Sequence, residues 1–597
     1  MQSASLPSTG HPKGLYVLFF AEMWERFCYY GMRALLALYL VKSLAMGDEK
    51  GFAVYGAYTA LVYAMPVIGG RIADSILGSR LAVLLGGILM AIGEFIIVGG
   101  TEQLLFWGMA VIIVGNGLFK PNISTMVGRL YPDGDARKDS GFTIFYIGIN
   151  LGALLATTVV AEVGNVYGAQ AGFALAGIGM LAGVLIFQLG GRHYAHISAP
   201  PSPGTLHQPI LGPLSPFTAV IVGCLALVPV LYFLLRNTDI AGYVLLVVAI
   251  FVIGSLIRRG IQDGNGTAFR APFSFEGRIR RTEYIMSIIG CGLVQLVIVI
   301  LIQSDVSLLV SLLAIPFLWI SFAQGAKRSH DLGNSGWFQL IPFYWVVLLT
   351  AKGKPLGNEY GENPRNVGDI PLDKMFGFII LMLFNVVFWA CFEQAGSSLT
   401  LFAERNVDRH VFGWEMGAAT TQFFNPAYIL LFGSLFSIMW VELKKRNRDF
   451  TIPMKFGLGI LQLGLGYLIV LVAAPLAIEY KVPLWTLAVL YMLHTTGELF
   501  LSPIGLSMVT KLVPKDMTGT AMGAWFLSIA GANYAAGLLA RLTGVEHGGG
   551  EEGTVDAAAS LATYLDVYST MGWVTVGIGL LLIVLSPLIN RLFHGIN

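Results

Sequence analysis

The sequence predicts an all-α polytopic membrane protein in which two bundles of six spanning helices flank a separate middle region. Two observations lead to this fold class: the composition of the 597-residue chain and the spacing of its apolar runs. Hydrophobic residues make up 55% of the chain and charged residues only 12%, whereas a soluble domain carries about 25% charged residues. So few charges cannot cover a water-facing surface, and most of the chain must therefore face lipid. The net charge of +2 does not suggest a nucleic-acid partner.

Apolar runs with the length of a spanning helix, roughly 18 to 25 residues, occur in two sets of six. The first set lies near 14–41, 53–73, 81–100, 104–125, 141–164 and 169–190. The second set lies near 373–397, 414–440, 453–475, 483–510, 517–541 and 563–592. This arrangement is typical of a transporter built from two six-helix halves, with the substrate bound between them.

Composition shifts and basic residues predict the domain boundaries and the orientation. We expect a first bundle at 1–192, a linker with an extra helical hairpin at 193–257, an inserted membrane domain at 258–367 and a second bundle at 368–597. Basic segments such as Arg71–Arg80 and Lys444–Arg448 fall on one side of the membrane if each run spans once. That side is cytoplasmic by the positive-inside rule, and both termini are expected there, in a protein of a bacterial inner membrane.

The inserted domain contains three apolar runs, near 285–304, 306–324 and 336–350. Since both flanking segments lie on the cytoplasmic side, the domain must cross the membrane an even number of times. We therefore expect the short run at 337–350 to be re-entrant or interfacial. The neighbours His330 and Asp331 form either a metal or catalytic pair or a structural turn.

The first spanning helix carries six polar side chains, which are Glu22, Glu25, Arg26, Tyr29, Tyr30 and Arg33. At 100° per residue these positions fall within about 140° of the helix circumference. Ionisable residues inside a spanning helix are costly, so this stripe must face the bundle interior, and it is a functional site by default. The alternative is an ion-pair network that only holds the bundle together.

Further polar residues recur at bundle depth, with a cation in the first half and carboxylates in the second. They are Lys120, Asn150, Glu393, Asn425, Glu498 and Ser502. A zwitterion with separated ends fits such a dipolar cavity, although each Asn serves a helix–helix hydrogen bond equally well. A glutamate that alternates between a cation and protonation couples proton uptake to a conformational change. Glu393 opposite Arg33, or Glu22 and Glu25 near Lys120, could do this, whereas Glu94 is assigned no role.

Five motifs in order make the chain resemble the proton-dependent oligopeptide transporter family, a branch of the major facilitator superfamily. Glu22-Met-Trp-Glu25-Arg26-Phe-Cys-Tyr29-Tyr30-Gly31 is similar to its E-x-x-E-R-F-x-Y-Y-G signature. The segments that resemble its other motifs are Gly69–Arg80, Gly115–Asn122 with Phe145–Gly152, Phe388–Gln394 and Glu498–Pro503. The resemblance implies a major facilitator fold and covers most of the chain outside 258–367, a block that itself resembles a small bacterial membrane domain of unknown function.

The resemblance also implies roles for individual residues. The residues expected to hold the peptide carboxylate are Arg26, Arg33 and Lys120, and those for its amino end are Asn150, Asn425 and Glu498. Side-chain pockets are expected from Tyr29, Tyr30, Tyr63, Trp389 and Trp525. Glu22, Glu25 and Glu393 are expected to couple protons, with Arg26 as a partner, and Glu393 and Ser502 also to border the substrate.

Two positions matter for the coupling mechanism. Some members of the family carry a His in the second helix, where this chain has Gly56. Proton coupling is therefore expected to rest on carboxylates. His494 in the tenth helix is expected to be a packing residue.

The leading hypothesis is a proton-coupled symporter that imports di- and tripeptides across the inner membrane by alternating access. The alternatives are symport of another small anionic or amine-bearing solute, or a transporter-derived sensor or assembly partner with a protein bound through 258–367. The sequence shows neither a P-loop nor a nucleophile–base arrangement, so an ATP-driven pump and an enzyme are not expected. The expected partners are small peptides and the lipid bilayer, and protons rather than a cofactor would drive transport.

Overall fold

The computed structural model describes residues 10–132, 135, 137–209, 214–262, 271–281, 283–285, 287–288, 291–292, 314–364, 372–446, 448–512, 518–545 and 556–593. Within these ranges helices predominate, and the few strands are two residues long.

The described residues of the first half contain eight α-helices. They are α1 (Lys13–Leu38), α2 (Asp48–Ala64), α3 (Pro66–Ile72), α4 (Gly78–Ile97), α5 (Glu102–Arg129), α6 (Lys138–Leu155), α7 (Ala161–Tyr167) and α8 (Ala169–Leu189). Helix α1 packs against α6 and α8, and α4 packs against α5 and α8. The chain reverses between α3 and α4 at Gly78, whose φ of +71° favours glycine. A Cβ there would also lie 2.6 Å from the backbone nitrogen of Pro200.

The middle region begins with the predicted hairpin and continues into the inserted domain. Its described helices are α9 (Pro216–Arg236), α10 (Thr238–Gln262), α11 (Ala314–Asp331) and α12 (Tyr344–Thr350). Helix α9 packs against α5 of the first half, whereas α10 packs against α2 of the first half and a helix of the second half. The hairpin therefore touches both halves.

The described residues of the second half contain seven α-helices and two short strand pairs. The helices are α13 (Leu372–Phe392), α14 (Ser398–Asn406), α15 (Phe424–Lys445), α16 (Ile452–Ala473), α17 (Trp485–Leu512), α18 (Thr518–Arg541) and α19 (Ala557–Asn590). Strand β1 (Val407–Asp408) pairs in parallel with β4 (Val482–Pro483), and β2 (His410–Val411) pairs antiparallel with β3 (Trp414–Glu415). Helix α16 packs against α17 and α19, and α13 packs against α18.

Side-chain caps mark the start of several helices. The Thr101 hydroxyl accepts from the amide of Leu104 at the start of α5. Ser215 caps α9, and Pro216 occupies the next position, where its missing N–H is not needed. Asp556 accepts from Ala558 at the start of α19. These capping side chains accept hydrogen bonds from backbone N–H groups that have no partner within the helix.

Ten helical stretches among the described residues, some of which contain more than one of these helices, are long and apolar enough to cross a membrane. They are Asp48–Ile97, Glu102–Arg129, Lys138–Tyr167, Ala169–Leu189, Pro216–Arg236, Gly377–Asn406, Ala419–Lys445, Ile452–Leu476, Ala521–Arg541 and Ala557–Phe593. Helix α1 is long enough but contains the predicted charged stripe. Each of the twelve predicted core runs overlaps a helix, so the prediction of an all-α polytopic membrane protein is confirmed. The run predicted near 414–440 begins in β3, however, and α15 starts only at Phe424.

The predicted short run of the inserted domain does not form a spanning helix. A 3₁₀ turn, Gly336–Leu340, precedes α12, whose seven residues measure about 10 Å. The hydrocarbon core is about 30 Å thick, so the prediction that this run does not span is confirmed. Trp337 and Phe343 are strongly exposed here, which suits an interfacial position. The run predicted near 285–304, and the start of the next one, lie largely outside the described residues.

Candidate functional site

The charged stripe of α1 forms a buried ion-pair cluster centred on Arg26. Its Nε donates to Glu22 Oε1 at 2.7 Å and lies 2.9 Å from Glu25 Oε2. Asn116 of α5 donates to the other Glu25 oxygen at 3.0 Å. All four side chains are buried. Because α1 packs against other helices of the first half, its polar face points into the bundle, as its helical spacing predicts.

A second ion pair joins the two halves of the molecule. Arg33 of α1 binds Glu393, which lies directly after α13. The Arg33 Nε also donates to the Tyr55 hydroxyl of α2 at 2.7 Å. Glu393 and Arg33 are both buried, so the pair is shielded from water. The predicted juxtaposition of Glu393 and Arg33 is confirmed.

Lys120 lies on α5 beside the aromatic residues of the first half. Its Nζ is 4.1 Å from the centroid of the Tyr63 ring, a cation–π contact. Arg26 forms the ion pairs with Glu22 and Glu25, and Lys120 lies close enough to interact electrostatically with both carboxylates, as predicted. Lys120 and Tyr63 are both only half-buried, so part of each side chain remains accessible.

The two adjacent tyrosines of α1 differ in exposure. Tyr29 is fully buried, whereas Tyr30 is half-buried, and their rings meet edge to face at 5.3 Å. The guanidinium of Arg33 lies 5.8 Å from the centre of the Tyr30 ring. Tyr30 is therefore the tyrosine of the pair with a surface free for a ligand.

The second half supplies an amide–carboxylate group. Asn425 of α15 donates to the Thr495 hydroxyl at 3.0 Å and to Glu498 Oε2 at 3.1 Å, both on α17. Its hydrogen bonds thus cross between helices. Asn150 instead donates to the Tyr146 carbonyl one turn earlier in its own helix, at 3.0 Å. The side chain of Ser502 lies outside the described residues.

The aromatic residues predicted in the second half pack among other rings. Trp525 is buried and stacks on Phe378 at 6.4 Å between centroids. Trp389 is half-buried and meets Phe392 edge to face at 5.2 Å. His494 is buried beside Phe392 and packs as predicted. Of these side chains, Trp389 offers the larger free surface.

The halves are also joined by ion pairs around the turn from α1 to α2, a region we call the α1–α2 face. The pairs here are Lys42–Glu404, Asp48–Arg405 and Glu49–Arg541. The Arg405 guanidinium binds Asp48 through two nitrogens at 2.6 and 2.7 Å, the bidentate geometry that makes such pairs strong. Among the described residues, every ion pair between the halves belongs to this face or is the Arg33–Glu393 pair next to it.

Helices α2 and α18 meet at backbone distance on the same face. A Cβ on Gly56 would lie 2.7 Å from the Cα of Gly537, and a Cβ on Gly537 would lie 2.8 Å from the Cα of Gly56. A His at Gly56, as in some members of the resembled family, has no room in this packing. The structure is therefore closed at the α1–α2 face.

Comparison with known proteins assigns the family. The POT family model matches residues 80–208 and 371–553, which together exceed half of the chain. The chain belongs to the POT family. This result confirms the family predicted from the motifs of α1, α5 and the second half.

Individual POT relatives extend over nearly the whole chain. The dipeptide and tripeptide permease B of Xenorhabdus bovienii is 28% identical, with 99% of each chain covered. An uncharacterized transporter of Bacillus subtilis is 30% identical over 98% of this chain and 96% of its own. The crystal structure of a peptide transporter POT variant with alafosfalin has a TM-score of 0.66, 29% identity and coverage of 99% and 97%. The structure of a POT transporter with 5-aminolevulinic acid has a TM-score of 0.67, 26% identity and 97% coverage of both chains.

The inserted segment of this POT protein matches another family. Residues 272–362 match the model described as protein of unknown function DUF805, which confirms the predicted foreign domain. Asp331 binds Arg278 at 3.0 Å and also Arg328. The His330 ring stacks on Tyr360 at 3.9 Å, and burial lowers the pKa of the imidazole. His330 and Asp331 are the last two residues of α11, so the predicted turn begins only after them. Their contacts are structural, and the described residues hold no cluster suited to a metal.

Several polar partners in the POT site are absent from the sequence prediction. Asn116 lies one turn before Lys120 on α5, so the helical period could have identified it. Thr495 lies three residues before Glu498 on α17, and the same argument applies. Tyr55 and Arg405 carry no such signal, because no predicted site residue lies one turn away from either of them on its own helix.

Proposed function

We propose that this POT transporter is a proton-coupled symporter that imports di- and tripeptides by alternating access. Relatives that align along nearly their whole length carry the name dipeptide and tripeptide permease. A solved relative of the family is described as a peptide transporter. The full-length alignment supports the same class of activity here.

The buried Arg33–Glu393 pair is the observation that carries the proton-coupling part of the proposal. It joins α1 of the first half to the end of α13 in the second half. Removing the charge of one partner in a buried pair is strongly destabilising, because the other charge is left uncompensated. Protonation of Glu393 would therefore weaken the link between the halves at the α1–α2 face.

The same pair supports alternating access. In this structure the halves are bound together at the α1–α2 face through the ion pairs and the Gly56–Gly537 contact. If both termini are cytoplasmic, as the basic loops indicate, this face is periplasmic in an inner membrane. The structure then represents a state closed to the periplasm, and opening requires the Arg33–Glu393 pair to break.

The distribution of charge supports a zwitterionic substrate. Lys120 offers a half-buried cation in the first half. Glu498, held by Asn425, offers a carboxylate in the second half. We assign the peptide carboxylate to Lys120, Arg26 and Arg33, and its ammonium group to Glu498, Asn425 and Asn150. Aromatic faces of Tyr30, Tyr63 and Trp389 accept varied side chains.

A second candidate substrate class is a small amine-bearing carboxylate other than a peptide. One solved POT relative is in complex with 5-aminolevulinic acid, which carries an ammonium and a carboxylate like a peptide. The charges of this site fit both classes. Competition of unlabelled peptides and of 5-aminolevulinic acid against the uptake of labelled dialanine decides between the two substrate classes.

Uptake into liposomes tests the proposal. Purified protein with an inward proton gradient should accumulate labelled dialanine. The Glu393→Gln variant should retain dialanine exchange without a gradient but lose proton-driven accumulation by at least about tenfold, which corresponds to about 1.4 kcal/mol. Glu442→Gln is the matched control, because the Glu442 side chain is about half exposed and pairs with Arg446 directly after its own helix.

Two results would contradict the proposal. If no di- or tripeptide accumulates in a gradient, the substrate assignment is wrong. If Glu393→Gln accumulates dialanine normally, the coupling role of Glu393 is wrong.

Deleting residues 260–366 tests whether the DUF805 segment acts as a separate interaction domain. Unchanged uptake together with loss of a co-purifying protein would assign it a partner-binding role.

A further inference from the structure

An apolar cavity lies between the hairpin helix α9 and the first half. It measures about 330 Å³ and is lined by Met65 between α2 and α3, by α3 and the turn after it, and by α5 and α9. Its wall residues are apolar side chains, glycines and one cysteine, and they include Met65, Leu118, Val220 and Cys224. The cavity lies within segments long and apolar enough to span the membrane. It shares none of the polar residues of the proposed substrate site.

Water is a poor occupant of this cavity. A buried water needs two to four polar partners. The wall offers the Cys224 thiol and the Gly117 carbonyl. That carbonyl lacks its helical donor at Pro121 but is packed against Gly69. An empty gap would forfeit the dispersion contacts of every side chain along its wall. Hydrocarbon is the remaining occupant that matches an apolar wall at this depth of the membrane.

The mouth of the cavity opens beside lipid-facing surface. Gly223 lies on the wall and is exposed, and a Cβ on it would meet nothing within 4 Å. On α9 the neighbouring Val222 and Leu225 are about half exposed, and Ile68 is similarly exposed on α3. Apolar residues exposed in a spanning segment face lipid tails. The cavity is thus continuous with the surface that contacts the bilayer.

We infer that this cavity binds one acyl chain of a membrane phospholipid. The chain inserts between α9 and the α2–α3 segment and completes the packing of the hairpin on the first half. Helix α9 packs directly against α5 and only weakly against α2, so the acyl chain fills the gap on the α2–α3 side. The lipid is therefore a structural ligand of the hairpin, distinct from any transported solute.

Native mass spectrometry in a mild detergent tests this inference. The wild-type protein should retain one phospholipid that resists detergent washing. Gly223→Leu places a side chain at the mouth and should reduce this retention at least fivefold. Gly433→Leu is the matched control, because a Cβ on Gly433 of α15 also meets nothing within 4 Å, and it should retain the lipid as the wild type does.

Photocrosslinking in nanodiscs gives a second measurement that needs only the wild-type protein. A phosphatidylglycerol with a diazirine in its acyl chain should label Cys224 or Val220 more strongly than the outward-facing Leu225 on the same helix. Labelling of Leu225 without Cys224 or Val220 would overturn the inference. Equal lipid retention by wild type and Gly223→Leu would also overturn it, and neither result would affect the proposed peptide transport.

Discussion

Two buried charge clusters in this molecule are built on different principles. In the DUF805 segment, Asp331 is held by Arg278 and Arg328, and these arginines also donate to backbone carbonyls. The carbonyl acceptors belong to Leu348, Ala351, Lys354, Leu356 and Gly361. In α1, the hydrogen bonds described for Arg26, Glu22, Glu25 and Asn116 join side chains to side chains.

The difference separates a structural cluster from one able to change partners. A charged side chain that is hydrogen-bonded to backbone carbonyls can change position only if the backbone moves. A charged side chain that is hydrogen-bonded to other side chains can exchange partners through rotamer changes. Within the described part of the chain, Glu22 Oε2 and the Tyr29 hydroxyl have no hydrogen-bond partner. Leaving a buried polar atom without a hydrogen bond costs free energy. A proton or a substrate that binds there can supply the missing interaction.

The largest expected effect concerns the structural cluster. Asp331→Ala leaves Arg278 and Arg328 buried without their anion, and should destabilise the DUF805 segment by about 3–5 kcal/mol. Limited proteolysis should then cleave residues 271–364 much faster than in the wild type. Asp239→Ala is the control, since Asp239 is exposed at the start of α10. An unchanged cleavage rate would show that the backbone contacts alone hold this cluster.

A smaller effect is expected from the exchangeable cluster. Glu25→Gln leaves Arg26 bound to Glu22, so the fold should be retained with a stability change of about 1 kcal/mol or less. Proton-driven dialanine accumulation should nevertheless fall about tenfold, equivalent to about 1.4 kcal/mol, while exchange persists. The exposed Glu102, which faces Lys50 at 3.4 Å, provides the control Glu102→Gln. A Glu25→Gln variant that accumulates peptide normally would make the α1 cluster structural like that of Asp331.

The smallest effect is expected at Glu94, a buried carboxyl without a cation among the described residues. Its Oε1 accepts from the Cys28 thiol at 3.5 Å, and its Oε2 has no described hydrogen-bond partner. Such a site accommodates the neutral acid far better than the carboxylate. Glu94→Gln should therefore change accumulation less than about twofold, measured as for Glu25→Gln. Loss of accumulation would instead place Glu94 on the proton route.

Much of the fold was predictable because the bilayer imposes one simple rule. Spanning segments must be apolar and helical, so the runs of α2 to α6 and of the second half stand out directly. The charged stripe of α1 was equally visible, because its residues share one helix face. The Arg33–Glu393 contact was one of two arrangements expected from the opposite charges at bundle depth, and the structure contains it.

The inter-half contacts of the α1–α2 face could not be predicted in the same way. Asp48 and Arg405 are separated by more than 350 residues, and neither local sequence indicates which residue the side chain contacts. The positions of Lys120 over Tyr63 and of Asn150 on its own helix likewise depend on rotamers. Helical periodicity places a residue on a face but does not choose among the neighbours available there.

The Gly56–Gly537 contact has an evolutionary consequence. When two large residues clash, one can be replaced by a smaller one, but neither member of this pair can become smaller. No compensating substitution exists within the pair, so any added carbon must be absorbed by moving α2 away from α18 and loosening the neighbouring ion pairs. The two positions are therefore expected to be inherited together, and a lineage with this packing cannot readily acquire a histidine at position 56.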